Sequence, residues 1–270
     1  MEGSLESSGG TIVYTDTQTG HPALILLHGL PTAKEIWDPV TPHFSPDYRV
    51  ITLDLNDYGE SAKIGRHISH KERAEVLDEL RHHLALDTFH LIAHDLGASV
   101  AVEYMGSYSR HVQKLMLLSP PVYPDFAVPF IVKLVRIPVL GELLVALLAP
   151  RLLRIGIQRG MVHKEQLTPE VLGPIERAFS GGKGHAALLR NLRWGTPPVT
   201  FRDYPRIIGT IAVPTLVLIG RHDPYIPLAH AERLEDTIQN SRLVVVEDGG
   251  HFLPMDTPEE VAREINAFVG

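Results

Sequence analysis

The 270-residue chain contains no cysteine. That excludes disulfides, thiolate nucleophiles and cysteine-held metals, and it is compatible with a cytoplasmic location. Tryptophan is nearly absent too, with Trp37 and Trp194 the only two. Basic residues are outnumbered, 25 Lys and Arg against 32 Asp and Glu, for a formal net charge of −7. An acidic balance of this kind argues against nucleic acid as the main partner. Long apolar runs are missing as well. The most apolar stretch, Phe126–Leu148, is broken by Pro129, Pro138 and Gly141 and carries Lys133, Arg136 and Glu142. It is not a membrane span, and the same breaks and charges argue against a surface-lying anchor. A buried or lid-like pair of short helices is expected there. Met1–Gly10 is polar, rich in Gly and Ser, and lacks the pattern of a signal peptide; residues 1–10 are expected to fray. No histidine pair has ligand spacing, and no Gly-rich phosphate loop precedes a helix, so neither a metal nor an organic cofactor is expected.

What is present is an alternation of short β-branched runs with helical patterns. Ala23–Leu27, Val50–Leu53, Phe89–Ala93, Lys114–Leu118, Thr215–Ile219 and Leu243–Val246 are mostly apolar at consecutive positions. Strands buried on both faces of a parallel sheet have this composition. Thr11–Thr15 is a candidate edge strand. Helices are expected at Ala33–Phe44, His70–Leu84, Gly97–Tyr108, Leu228–Ile238 and Pro258–Phe268, the last capped by Thr257. The rhythm stops after Ser119 and resumes at Ile211. The intervening segment reads as helices around a flexible Ser180–Gly184 turn. The fold expected is an α/β class with a mostly parallel central sheet, a core formed by residues 11–121 and 206–270, and an inserted helical cap at 122–205.

Three strand ends carry chemistry-bearing residues in a fixed order. Leu91-Ile92-Ala93-His94-Asp95-Leu96-Gly97-Ala98 ends a strand, projects one residue and begins a helix of small residues. Ala93 and Gly97 are small where strand and helix backbones nearly touch, as a nucleophile elbow requires. Asp95 holds the central position; the plain alternative is an aspartate capping the helix that follows. Asp223 follows Ile219-Gly220 into a loop with Pro224 and Pro227. His251 follows Gly249-Gly250. With fifteen histidines in the chain, one histidine is weak evidence, but nucleophile, acid and base at three strand ends in the expected order are not. A fourth element, His28-Gly29-Leu30-Pro31, can aim the Leu30 N–H at a developing oxyanion, with the Leu96 N–H as second donor.

These residues resemble the α/β-hydrolase superfamily over nearly the whole chain. His28-Gly29-Leu30-Pro31-Thr32 with His94-Asp95-x-Gly97 is similar to its aspartate-nucleophile branch, the epoxide hydrolases and haloalkane dehalogenases. Asp54-Leu55-x-x-Tyr58-Gly59-x-Ser61 also resembles a loop of that branch, except that Asn56-Asp57 stands where a glycine two before the aromatic is usual. The resemblance implies that Asp95, ionised at neutral pH, attacks a saturated carbon and forms an alkyl-enzyme ester. His251 then activates water to cleave the ester, Asp223 orients the imidazole, and the Leu30 and Leu96 N–H groups hold the oxyanion.

Departures limit the substrate reading. Dehalogenases of the branch usually place Trp after the nucleophile, and many add Asn or Glu in the oxyanion loop; here those positions are Leu96 and Leu30. Epoxide hydrolases usually place two cap tyrosines over the nucleophile; this cap segment offers Tyr123 and Tyr204, with His185 or Arg190 as substitutes. Trp37, Tyr123, His185, Trp194, Tyr204 and Phe252 are the candidate substrate-binding side chains. Opening of an epoxide on a lipophilic small molecule is the leading expectation. Haloalkane dehalogenation is the alternative, and a non-hydrolytic tailoring enzyme or ligand-binding protein on the same fold is the rival from another class. The protein is expected to act as a monomer or homodimer without inserting into a membrane.

Overall fold

The computed structural model describes residues 1–270. Eight strands form one sheet in the order β1-β2-β4-β3-β5-β6-β7-β8: β1 (Glu2–Ser7), β2 (Gly10–Asp16), β3 (Ala23–Leu27), β4 (Arg49–Leu53), β5 (Phe89–His94), β6 (Val112–Leu118), β7 (Thr215–Gly220) and β8 (Ser241–Val246). β1–β2 and β2–β4 are antiparallel and every later pair is parallel. Each residue of β3, β5 and β7 is buried, so helices cover both faces, which explains the unbroken apolar runs. β8 is only half-buried because it is the edge.

The helices are α1 (His70–His83), α2 (Leu96–Tyr108), α3 (Phe130–Val135), α4 (Leu140–Arg159), α5 (Pro169–Ala178), α6 (Gly181–Leu192), α7 (Pro197–Thr200), α8 (Tyr204–Ile208), α9 (Leu228–Thr237), α10 (Leu253–Asp256) and α11 (Pro258–Val269). α1 starts in a full capping box, with Ser69 and Glu72 each bonding the other's backbone. Helices α3 to α8 lie between β6 and β7, in the stretch where an inserted helical cap is expected. No helix is long and apolar enough to cross a membrane.

Several sequence expectations need correction. The N-terminus does not fray: Glu2 to Ser7 pairs in register with Thr15 to Gly10 of β2, and Leu5 packs against the core. Ala33–Phe44 is not a helix. It holds two 3-10 turns, Lys34–Trp37 and Thr41–His43, because Pro39 and Pro42 remove two amide donors. Thr257 does not cap α11 with its side chain; its hydroxyl faces the Leu253 carbonyl instead. Ser180–Gly184 is not a free turn, since α6 starts at Gly181 and Gly184 packs where a Cβ would lie 2.6 Å from the Phe179 carbonyl carbon. The second cap helix is longer than expected, since α4 runs through Pro150 to Arg159. Tyr204, at the start of α8, bonds the Ser99 carbonyl of α2 at 3.1 Å.

Candidate active site

β5 ends at His94 and α2 begins at Leu96, so Asp95 alone makes the turn, with φ 50° and ψ −124°. An L-residue in such a region costs about 1–3 kcal/mol and persists only when its surroundings impose it. Here they do. A Cβ at Gly29 would run into the Asp95 side chain, and one at Gly97 would lie 2.9 Å from Leu27 Cβ and against the His28 carbonyl. The carboxylate does not cap α2. Asp95 Oδ1 accepts the Leu30 N–H at 2.7 Å, and Oδ2 lies 3.3 Å from His251 Nε2.

The loop after β7 presents Asp223. Its Oδ1 accepts the N–H groups of Tyr225 and Ile226 at 2.8 and 2.9 Å, a turn in which an aspartate folds its own following backbone. That leaves Oδ2 to accept from His251 Nδ1 at 2.9 Å. His251 lies between two carboxylates, and its backbone is tied on both sides. Its N–H donates to the Gly160 carbonyl at 2.6 Å, and its carbonyl accepts from His94 Nε2 at 2.9 Å. His94 Nδ1 has no partner, so the proton is assigned to Nε2 by its bonding.

Burial alone would lower the pKa of His251. Asp223 and then Asp95 outweigh it and raise the pKa to about 10. The reverse holds for Asp95 and Asp223: burial pushes both up, and the His251 partner holds both below the usual carboxylate value. The resting site is therefore an imidazolium between two carboxylates. His94, pushed down to about 4 by burial and then by the charge of His251, stays neutral.

The loop carrying Leu30 is braced from β4. His28 Nε2 accepts the Leu55 N–H at 3.0 Å, while Nδ1 donates to the Gly29 carbonyl. Asp54 accepts the Lys34 N–H at 2.8 Å, the Lys34 ammonium at 3.2 Å and the Glu60 N–H at 2.9 Å. The Asp54–Ser61 motif thus holds the donor loop in place. Its departure, Asn56-Asp57, has its own use. Asp57 takes the Arg190 guanidinium of α6 at 3.0 and 2.8 Å, and the Asn56 carbonyl accepts from Arg73, which also bonds Asn191 of α6 at 2.9 Å.

Above Asp95 lies a cavity of about 130 Å³, lined by 21 residues of which 15 are hydrophobic. Asp95, His251, Leu30 and Leu96 line it from the core, and α3, α4 and α6 supply apolar walls. Besides Asp95 and His251, its chemistry is limited to the Tyr225 hydroxyl and the Trp194 indole. The hydroxyl donates to the Gly156 carbonyl at 2.6 Å, and burial raises its pKa to about 12.

Of the expected substrate-binding side chains, Trp194 and Phe252 line this cavity; Trp37, Tyr123, His185 and Tyr204 do not. Trp37 is fully buried in the core beneath the donor loop. Tyr123 packs edge-on to His230 under the Arg233 guanidinium. The Tyr204 hydroxyl is engaged by His70 and the Ser99 carbonyl. His185 lies on α6 away from the cavity, and Arg190 is committed to Asp57. Sequence reasoning missed Tyr225; its position two residues after Asp223 in a strand-end loop was the available signal.

The model of the alpha/beta hydrolase family matches residues 24–264. Epoxide hydrolase 4 of Mus musculus is 27% identical over 93% of this chain and 74% of that protein. A 2-hydroxy-6-oxononadienedioate/2-hydroxy-6-oxononatrienedioate hydrolase of Burkholderia vietnamiensis is also 27% identical, over 95% of this chain and 90% of its own length. The crystal structure of haloalkane dehalogenase DbeA from Bradyrhizobium elkani superposes with a TM-score of 0.88 at 21% identity, covering 100% of this chain and 97% of that one. With a family match over most of its length, the chain belongs to the alpha/beta hydrolase family and is a hydrolase.

Proposed function

We propose that this hydrolase acts on a small lipophilic molecule through an ester on Asp95, and that epoxide opening is the reaction. The observation that carries this reading is the unequal treatment of the two Asp95 oxygens. Oδ1 is held on the Leu30 N–H, whereas Oδ2 has only the longer His251 contact at the base of an apolar cavity. Oδ2 attacks the less hindered epoxide carbon. The C–O bond of the ring breaks, and its electron pair stays on the departing oxygen. Tyr225, the one hydroxyl lining the cavity, protonates that oxygen after leaving the Gly156 carbonyl, and is reprotonated from solvent.

Ester formation removes the charge of Asp95. His251 has then lost one of its two anionic neighbours, so its pKa falls and it can release its proton and take one from water. The hydroxide attacks Asp95 Cγ, and the oxyanion forms on Oδ1, which already sits on the Leu30 N–H. Collapse breaks the bond between the substrate carbon's oxygen and Asp95 Cγ; the leaving alkoxide takes a proton from His251, which regains it from the hydroxyl newly added to Cγ, so the diol departs and the Asp95 carboxylate is restored. Asp223 stabilises the imidazolium in this step.

Haloalkane dehalogenation is the second reading, and the Trp194 indole in the cavity lining supports it. One experiment separates the two. A His251→Gln variant is incubated with a terminal aryl epoxide and, separately, with a bromoalkane, and its intact mass is recorded. An epoxide adds its whole mass to the protein; a bromoalkane adds only its alkyl group. Adduct with the epoxide, mapped to the Asp95 peptide and absent when Asp95→Asn is added, is the expected outcome. No adduct from either class would remove the Asp95 ester mechanism.

A further inference from the structure

Ten large hydrophobic side chains are exposed on the molecule, and eight of them lie between Phe130 and Ile155. Their placement is helical. Along α4, Val145, Ala149, Leu153 and Ile157 are buried, and Val145 and Leu153 line the cavity. The opposite stripe carries Leu140, Leu143 and Leu147, the last 75% exposed, and continues into Arg151 and Arg154. Phe130 at the start of α3 is 73% exposed, and Val139 in the α3–α4 turn is 70% exposed. An exposed apolar concentration of this kind marks an interaction site.

Charge indicates what covers it. Between Phe126 and Gly160 stand Lys133, Arg136, Arg151, Arg154 and Arg159 against a single acid, Glu142, in a chain whose net charge is −7. That acid is already taken by Arg193, at 2.7 Å. Arg136 turns inward, bonding the Leu192 carbonyl over the Trp194 ring, and Arg154 lies 3.9 Å from Glu176, so the apolar face is flanked mainly by Lys133, Arg151 and Arg154 on an otherwise anionic molecule. An anionic lipid surface has the complementary pattern: acyl chains for the leucines and headgroup phosphates for the flanking guanidinium groups. A second copy of this chain would set like charge against like charge across the same contact. The Pro breaks and charges that argue against a surface anchor in the sequence fall within α3 and α4 or in the turns that flank them, and the outer stripe of α4 stays apolar.

We infer that the α3–α4 face of the cap docks on anionic lipid surfaces. Ile131 joins this face to the site, being 38% exposed and also part of the cavity lining. A lipophilic substrate dissolved in the bilayer then reaches the cavity without crossing water. That route rests on the Asp95 reading; the docking itself does not.

The test is flotation of the full-length protein with phosphatidylcholine vesicles, with and without phosphatidylglycerol. The expected result is binding on the order of tenfold tighter to the mixed vesicles, weakened by added salt and lost in Leu143→Glu/Leu147→Glu. Both side chains are exposed and outside the cavity, and unchanged circular dichroism and turnover of a water-soluble substrate verify that the variant is folded. Arg151→Glu/Arg154→Glu should lose the preference for phosphatidylglycerol. Failure of the wild type to float with either vesicle overturns the proposal, as does undiminished flotation of the leucine variant. So does a concentration-dependent dimer that the leucine variant abolishes without any vesicle binding, since a second copy would then cover this face.

Discussion

His251 is the residue whose environment makes the most testable statement. Its pKa is raised to about 10 because Asp223 and Asp95 outweigh burial, against an ordinary value near 6.5. The folded state therefore binds a proton more tightly than the unfolded chain. The stability this contributes is complete below the unfolded pKa and is lost as pH climbs toward about 10. Comparing thermal melts of the wild type and His251→Gln from neutral pH upward should show the gap between them closing with pH. Asp95→Asn removes one of the two anions, so the His251 resonance in proton NMR should titrate at lower pH in that variant. Under the ester mechanism, the acid limb of kcat also falls below the titration of the free enzyme, because the base works after Asp95 has been neutralised. A kcat limb at the same pH as the free-enzyme titration would count against an ester intermediate.

Among the elements, α6 ties the cap to the core through charged side chains. Arg190 reaches Asp57, a carboxylate almost fully removed from solvent, and Arg73 reaches Asn191 from α1. Deleting one partner of such a pair leaves a buried charge unpaired, at a cost of about 3 kcal/mol. Arg190→Leu should lower stability by that order in denaturant melts and speed hydrogen exchange across α6, with much less effect on β5. Equal exchange in α6 and wild-type stability would mean that the Arg190–Asp57 pair does not hold the cap. The sequence flagged Asn56-Asp57 only as a departure from a familiar loop. Nothing local said what it was for, because the Asp57 partner, Arg190, lies 133 positions away in α6.

For the molecule as a whole, the cavity sets the size of what can react. At about 130 Å³ it is close to an engineered apolar cavity of about 150 Å³ that holds a benzene. Leu153 lines it from α4 and is buried. Leu153→Ala should cost about 2–4 kcal/mol of stability while raising kcat/KM for a bulkier substrate relative to a small one by about tenfold or more. A uniform loss across substrates of all sizes would show that Leu153 only supports the cap and does not limit the site.

The parallel sheet, the strand ends and the order Asp95, Asp223, His251 were legible in the sequence. Unbroken apolar runs, small residues at 93 and 97 and the glycines before His251 are local requirements of backbone geometry, and local requirements leave local traces. The position of β1 left only a faint trace, because an edge strand at the surface needs few apolar residues. Which aromatic side chains meet the substrate left none. Trp37, Tyr123 and Tyr204 are as aromatic as Trp194 and Tyr225, but which ones reach the cavity depends on how the cap lies across the sheet. The outward stripe of α4 was likewise invisible, since a leucine facing solvent and one facing the cavity differ only in where the rest of the chain packs. Sequence set the chemistry of the site through short-range geometry; tertiary packing alone decided its walls, its size and its exposed face.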